Sequence, residues 1–249
     1  MKKIFRYELR RLLLNKLFGG ILATTLFYGW LTLNQTTILG VANTAPFSPW
    51  SFGHYFAQIL PMICLGELFF SGLFAADRTR RVSVLMEATP APPQRYAAVR
   101  CGTVMVGAAL LSLCAAAMAM GFYIRLFGWI SWGDLLAPAV LALLPPIVFC
   151  LGLGQCLGRL HPSLVYAAMA VPFLLSWLPL PQAMDFSLAQ FFQHYPATCG
   201  TLDPAFTVTT PILINRLAYL TLGALLFLWD GHRPGVRPKR AAPTSIQPG

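Results

Sequence analysis

Charge is what this chain has least of. Only 10% of its 249 residues are Asp, Glu, Lys or Arg, against about 25% in an ordinary soluble domain. With 57% hydrophobic residues and a mean hydropathy of +0.63, too little polar surface exists to cover a water-soluble globule, so lipid is the solvent for much of the chain. Catalytic signatures are missing too. There is no GxxxxGK[ST], so no phosphate-binding loop for ATP. The nearest string, "GLGQCLG", carries Gly152, Gly154 and Gly158 but no following Lys-Ser/Thr, and it lies in an apolar run. It reads as a small-residue face for close helix packing, downstream of a kink expected at Pro145-Pro146. No HExxH is present, and His54, His161, His194 and His232 fall in different segments without zinc-ligand spacing. No GxSxG occurs, and an aspartyl intramembrane protease needs two membrane acids where only Glu67 qualifies. Catalytic residues are therefore expected to be none, and the chain is not expected to be an enzyme. The six cysteines form no CxxC and lie mostly in apolar runs, so reduced thiols acting as small hydrophobes are expected.

What is present is a set of long apolar runs. A helix crosses the hydrocarbon core with about 20 apolar residues. Six stretches are candidates: Leu17–Leu39, Tyr55–Ala76, Cys101–Tyr123, Leu135–Leu157, Leu164–Leu180 and Ile212–Trp229. The expected fold is all-α, a polytopic integral membrane protein of six transmembrane helices in a domain spanning 17–230. The basic residues between the runs are lopsided. Of the 18 Lys and Arg, 16 fall in the N-terminal segment, the second loop, the fourth loop and the tail, and only Arg125 and Arg216 in the alternate compartment. By the positive-inside rule both termini and the second loop are cytoplasmic. Charge spread over four cytosolic pieces is a topology signal, so no nucleic acid partner is expected; the lipid bilayer is. The Pro/Gly-rich basic tail, 231–249, reads as disordered and loosely attracted to anionic lipid.

The first 16 residues, "MKKIFRYELRRLLLNK", do not read as a cleavable signal: the charged part is long, contains Glu8, and no A-x-A site follows. Phe5, Leu9, Leu12 and Leu13 share one helical face, with Glu8, Arg11 and Asn15 opposite. An in-plane amphipathic helix over 1–16 is expected, apolar face in the membrane, with Gly19-Gly20 offering the bend into the first span.

The second loop, 77–100, cytoplasmic by that rule, begins "DRTRRVSVLMEATPAPP" after Ala76. Nothing breaks a helix from Asp77 to Ala88, and Pro90, Pro92 and Pro93 end it. Val82, Leu85, Met86 and Thr89 lie on one face, Arg80, Ser83 and Glu87 on another. It is either a docking knob for a cytosolic partner or a solvated loop whose arginines fix topology. Glu67 is the one acid well inside a span; it is either part of a pathway or a protonated or hydrogen-bonded structural acid. Gln58 and Asn34 are further candidates for a substrate pathway. The outer segment, 181–211, has no Lys or Arg and reads as re-entrant or interfacial, with "FSLAQFFQHY" a helix ended by Pro196. Phe191, Phe192 and Tyr195 suit an interface belt or an exit gate, and Arg216 either pairs with Asp203 or snorkels outward.

The run Asp77-Arg78, Leu85, Thr89-Pro90, Arg95 resembles the cytoplasmic loop of ABC-type exporter permeases of the second type, and "FRYELRRLLLNK" resembles that family's leading in-plane helix. Asp77 stands where the family more often has Glu, and Arg80-Arg81 replaces a usual glycine. The resemblance implies a transmembrane permease subunit of an ATP-driven exporter in the plasma membrane, moving an amphipathic substrate. It implies cytosolic ABC ATPase subunits and a second permease as partners, with ATP and Mg bound by the ATPase and no cofactor in this chain. Asp77, Arg78, Arg80, Arg81, Leu85 and Glu87 would couple the two. It also implies a hairpin of short helices in 181–211. A reading of another class is a membrane scaffold that recruits a cytosolic protein without transport. Orientation is testable directly: in a chain carrying Cys199→Ser, a cysteine introduced by Ser83→Cys should react with a membrane-impermeant maleimide only from the cytoplasmic side, and labelling from outside would reverse the topology.

Overall fold

The computed structural model describes residues 2–75, 93–178, 181 and 184–232. The expected coupling residues Asp77, Arg78, Arg80, Arg81, Leu85 and Glu87 lie outside the described residues, as does the tail beyond His232. Among the described residues the chain forms nine α-helices and no strand: α1 Lys2–Leu13, α2 Lys16–Gln35, α3 Pro49–Ala75, α4 Pro93–Phe127, α5 Gly133–Leu160, α6 Pro162–Ala168, α7 Val171–Trp177, α8 Ala189–Thr198 and α9 Thr210–His232. A single 3-10 turn, Thr37–Leu39, follows α2. This is an all-α polytopic membrane protein. Five helices, α2, α3, α4, α5 and α9, are long and apolar enough to cross a bilayer.

The expected fifth span is the exception. Leu164–Leu180 is two seven-residue helices, α6 and α7, joined at Met169-Ala170. Pro172 has no N–H to give the carbonyl of Ala168, where α6 ends, and its ring crowds that carbonyl. Together α6 and α7 return the chain from the C-terminal end of α5, where Gly158 meets Val165, to the end of the bundle where α8 packs on α3.

The bundle is organised around α3. Buried residues make up 72% of its apolar window, against 28% for α2 and 22% for α9. It touches α2, α4, α5, α6, α7 and α8, while α9 packs almost wholly on α5. Lipid tails are as apolar as leucine, so fit rather than hydrophobicity holds these helices together. The small residues of α5 supply that fit on two sides. A side chain at Gly152 would collide with the Gly223 carbonyl of α9; at Gly154 it would meet Ser71, and at Gly158 Ala75, both on α3. The small-residue reading of "GLGQCLG" thus holds, and α5 runs unbroken through Pro138, Pro145 and Pro146.

Near the chain's N-terminus two expectations are corrected. The break before α2 falls at Leu14-Asn15, not at Gly19-Gly20, because Asn15 caps α2: its Oδ1 accepts from the Leu17 N–H at 3.1 Å. The apolar face of α1 is covered in part by protein: Phe5 lies over Gly102 and Leu12 over Gly107 of α4. Glu8 is on that covered face, 2% exposed, with Arg11 reaching back to it at 3.7 Å. Standing three residues after Phe5 and four before Leu12, Glu8 belongs to their stripe.

At the opposite end, residues 184–209 fold over the start of α3. Trp50 is fully buried; its indole N–H donates to the Pro204 carbonyl at 2.8 Å, and its ring packs on Phe191, Phe192, Tyr195 and Phe206. Phe192 also fills the space left by Gly53. Phe191 and Phe192 are 1% and 0% exposed, so they form a packed cap rather than an interface belt. The helix in this segment starts at Ala189, because Asp185 and Ser187 bond to each other in a tight turn and Leu188 adopts a left-handed conformation, and it continues past Pro196 to Thr198.

Arg216 neither pairs with Asp203 nor snorkels. It is 2% exposed and donates from Nη1 to the Phe186 carbonyl at 3.1 Å and from Nη2 to that of Asp185 at 3.5 Å. Asn215 donates to the same Asp185 carbonyl at 3.3 Å, and the Tyr219 hydroxyl to Met184 at 3.2 Å. Non-helical carbonyls inside a membrane protein need donors, and one stripe of α9 supplies them.

Because the α5–α9 contact is backbone against backbone, Gly152→Ala should destabilise the protein by roughly 1–3 kcal/mol. Gly121→Ala, where an added methyl meets nothing within 4 Å, should be neutral. Equal melting of the two variants in detergent would remove close packing as the reason for Gly152.

Candidate functional site

Two places in the bundle gather polar side chains that the helix contacts alone do not require. The first is at mid-height. Glu67 stands on α3 one turn after Cys64, so both project from one face, and Cys150 faces them from α5. One carboxylate oxygen and the two sulfurs lie within 4.8 Å of one another, and all three residues are buried. Neither Glu67 oxygen has a hydrogen-bond partner among the described residues, and Glu67 is 0% exposed. A carboxylate left charged and unpartnered there is very costly. The group is held as the uncharged acid or balanced by a bound cation. Two sulfurs and an oxygen are also donors of the type a soft metal ion takes.

The second is a cavity of about 350 Å³ at the end of the bundle carrying the start of α3. Gln35 at the end of α2, the turn at 39–42, His54 and Gln58 of α3, and Gln193 and His194 of α8 line it. His54 is 4% exposed, and its Nε2 lies 3.3 Å from the Gln58 amide nitrogen. The Gln58 amide can donate to Nε2, which leaves Nδ1 as the ring's other polar atom. That Nδ1 is buried without a partner among the described residues. The lining is neutral and rich in amides and imidazoles, suited to hydrogen bonding rather than to ion pairing.

The three pathway candidates therefore part company. Glu67 is sealed in the core with two thiols. Gln58 faces the cavity. Asn34 is exposed and turned back on its own helix, donating to the Trp30 carbonyl at 2.8 Å; its neighbour Gln35 lines the cavity instead. The i, i+3 pair Cys64/Glu67 and the i, i+4 pair His54/Gln58 are spacings visible in sequence. The arrival of Cys150, Gln193 and His194 from other elements is not.

No protein-family model, curated protein or solved structure matches the chain.

The arrangement around Glu67 separates a structural acid from one kept for another reason. An acid that bonds to nothing contributes no stability, and an apolar side chain of similar length should fit as well or better. In chelator-treated detergent samples Glu67→Met should melt at or above the wild type, a gain of about 0–3 kcal/mol. A loss of more than about 1 kcal/mol would make Glu67 a structural acid.

Proposed function

We propose that this chain is the permease subunit of an ATP-driven exporter, pushed from the cytosol by a separate ATPase that engages residues 77–90. The observation that carries the reading is the position of α3. The helix with the most buried window among the described spans, touching six others, is described as far as Ala75, and the charged segment follows it in sequence. A force on that segment reaches α3 first, and through α3 most of the bundle. The amphipathic α1, docked on the early turns of α4, and the short α8 capping the start of α3 agree with the layout of type-two exporter permeases. In this reading both termini are cytoplasmic and the membrane is the plasma membrane. The amide-lined cavity at the outer end of α3 is a candidate part of the substrate's exit. The cargo is amphipathic, and a second permease completes the pathway.

The test is biochemical. The chain purified from mild detergent should carry an ATPase with a phosphate-binding loop. Leu85→Arg should insert normally yet lower the ATP hydrolysis of the complex about tenfold or more, the effect of roughly 1.4 kcal/mol in coupling. Full hydrolysis in that variant would remove 77–90 from the mechanism. A co-purifying partner without ATPase activity would favour the scaffold reading.

A further inference from the structure

We propose that Cys64, Glu67 and Cys150 bind one soft d10 metal ion, Cu(I), between α3 and α5. The three donors come from two helices held in register by close contacts one and two turns beyond the cluster: Gly154 and Gly158 of α5 lie against Ser71 and Ala75 of α3. With donors no more than 4.8 Å apart, each lies within about 2.8 Å of their common centre. A metal–sulfur bond is about 2.3 Å, so small side-chain rotations close the site without moving either helix.

The donor chemistry selects the ion. Two thiols and one carboxyl oxygen make a mostly soft set, which favours Cu(I) and Zn(II) over Mg(II) or Ca(II). Zn(II) closes a four-coordinate shell, taking water where the protein gives only three ligands. Among the described residues this cluster offers three donors, and Cys64, Glu67 and Cys150 are 0%, 0% and 1% exposed. Cu(I) accepts three donors. Charge agrees. One Cu⁺ displaces one proton from the cluster, which leaves to solvent, so the occupied site keeps the charge of the empty one, as a buried site favours. Binding would also give the Glu67 carboxyl a partner, which it lacks among the described residues. Nothing in this depends on transport, so its test needs no transport activity.

The full chain should be expressed with copper supplementation, purified anaerobically with reductant, and its metals counted by mass spectrometry. About one copper per chain is expected, with X-ray absorption showing sulfur neighbours near 2.3 Å. A variant keeping only Cys64 and Cys150, made by Cys101→Ser, Cys114→Ser, Cys156→Ser and Cys199→Ser, should retain the copper. Cys64→Ser with Cys150→Ser, checked for an unchanged helical spectrum and gel-filtration profile, should lose it or bind about 100-fold more weakly. A wild-type first shell of nitrogen and oxygen alone would overturn the site whether or not any variant folds. So would copper retained by the double serine variant, zinc bound in preference to copper, or no metal at all.

Discussion

Inside a bilayer no water is available to backbone groups, and this structure depends on meeting that demand where it is not helical. The most exacting point is the turn at 184–188, which breaks the helical ladder between α7 and α8. The carbonyls of Met184, Asp185 and Phe186 are taken by Arg216, Asn215 and Tyr219, three donors within two turns of α9. A guanidinium is suited to this because its flat fork serves two carbonyls at once and remains charged when buried. With that turn fixed, α8 is delivered onto Trp50, and the start of α3 is closed from above. The buried arginine is therefore a backbone-satisfying device, with no ion pair within 4.0 Å among the described residues.

The same demand explains the division of labour among the helices. Lipid gives no advantage to packing leucine on leucine, so α3, α5 and α9 are joined where glycines let backbones approach. The helices with few such places, α2 and the outer side of α9, expose leucine, isoleucine and aromatic rings to what the composition says is lipid. A central helix wrapped by neighbours, with a charged segment at one end and an aromatic cap at the other, is mechanically suited to carrying a displacement along its length. That suitability connects the fold to the proposed export function.

The mid-height cluster and the end cavity differ in kind. The cavity is open, neutral and amide-lined, the chemistry of a surface that passes polar groups without gripping them. The cluster is closed and soft, and holds an acid that no group answers among the described residues. Placing a thiol beside that acid on the same helix, and a second thiol across from it, makes sense as a ligand set; as plain core packing it leaves the carboxyl unaccounted for.

Much of the fold was legible in sequence. Apolar runs of spanning length located α2, α3, α4, α5 and α9, because a membrane helix is defined by length and composition alone. The scarcity of acids and the absence of catalytic motifs shaped the functional reading in the same way. The small-residue face around Gly152–Gly158 was visible because glycine spacing on a helix has few other uses. Contacts between distant segments were not legible. Pro172 splits the fifth run because its effect depends on which carbonyl loses a donor. Glu8 turned inward because α4 covers its face of α1. Arg216 found carbonyls thirty residues upstream, and Cys150 came opposite Glu67, through the packing of α5 and α9. Composition and periodicity fixed which segments lie in lipid and which face of each is apolar; which polar atoms meet was decided only by tertiary structure, since a hydrogen bond or a ligand set is a matter of a few ångströms between elements that sequence spacing does not relate.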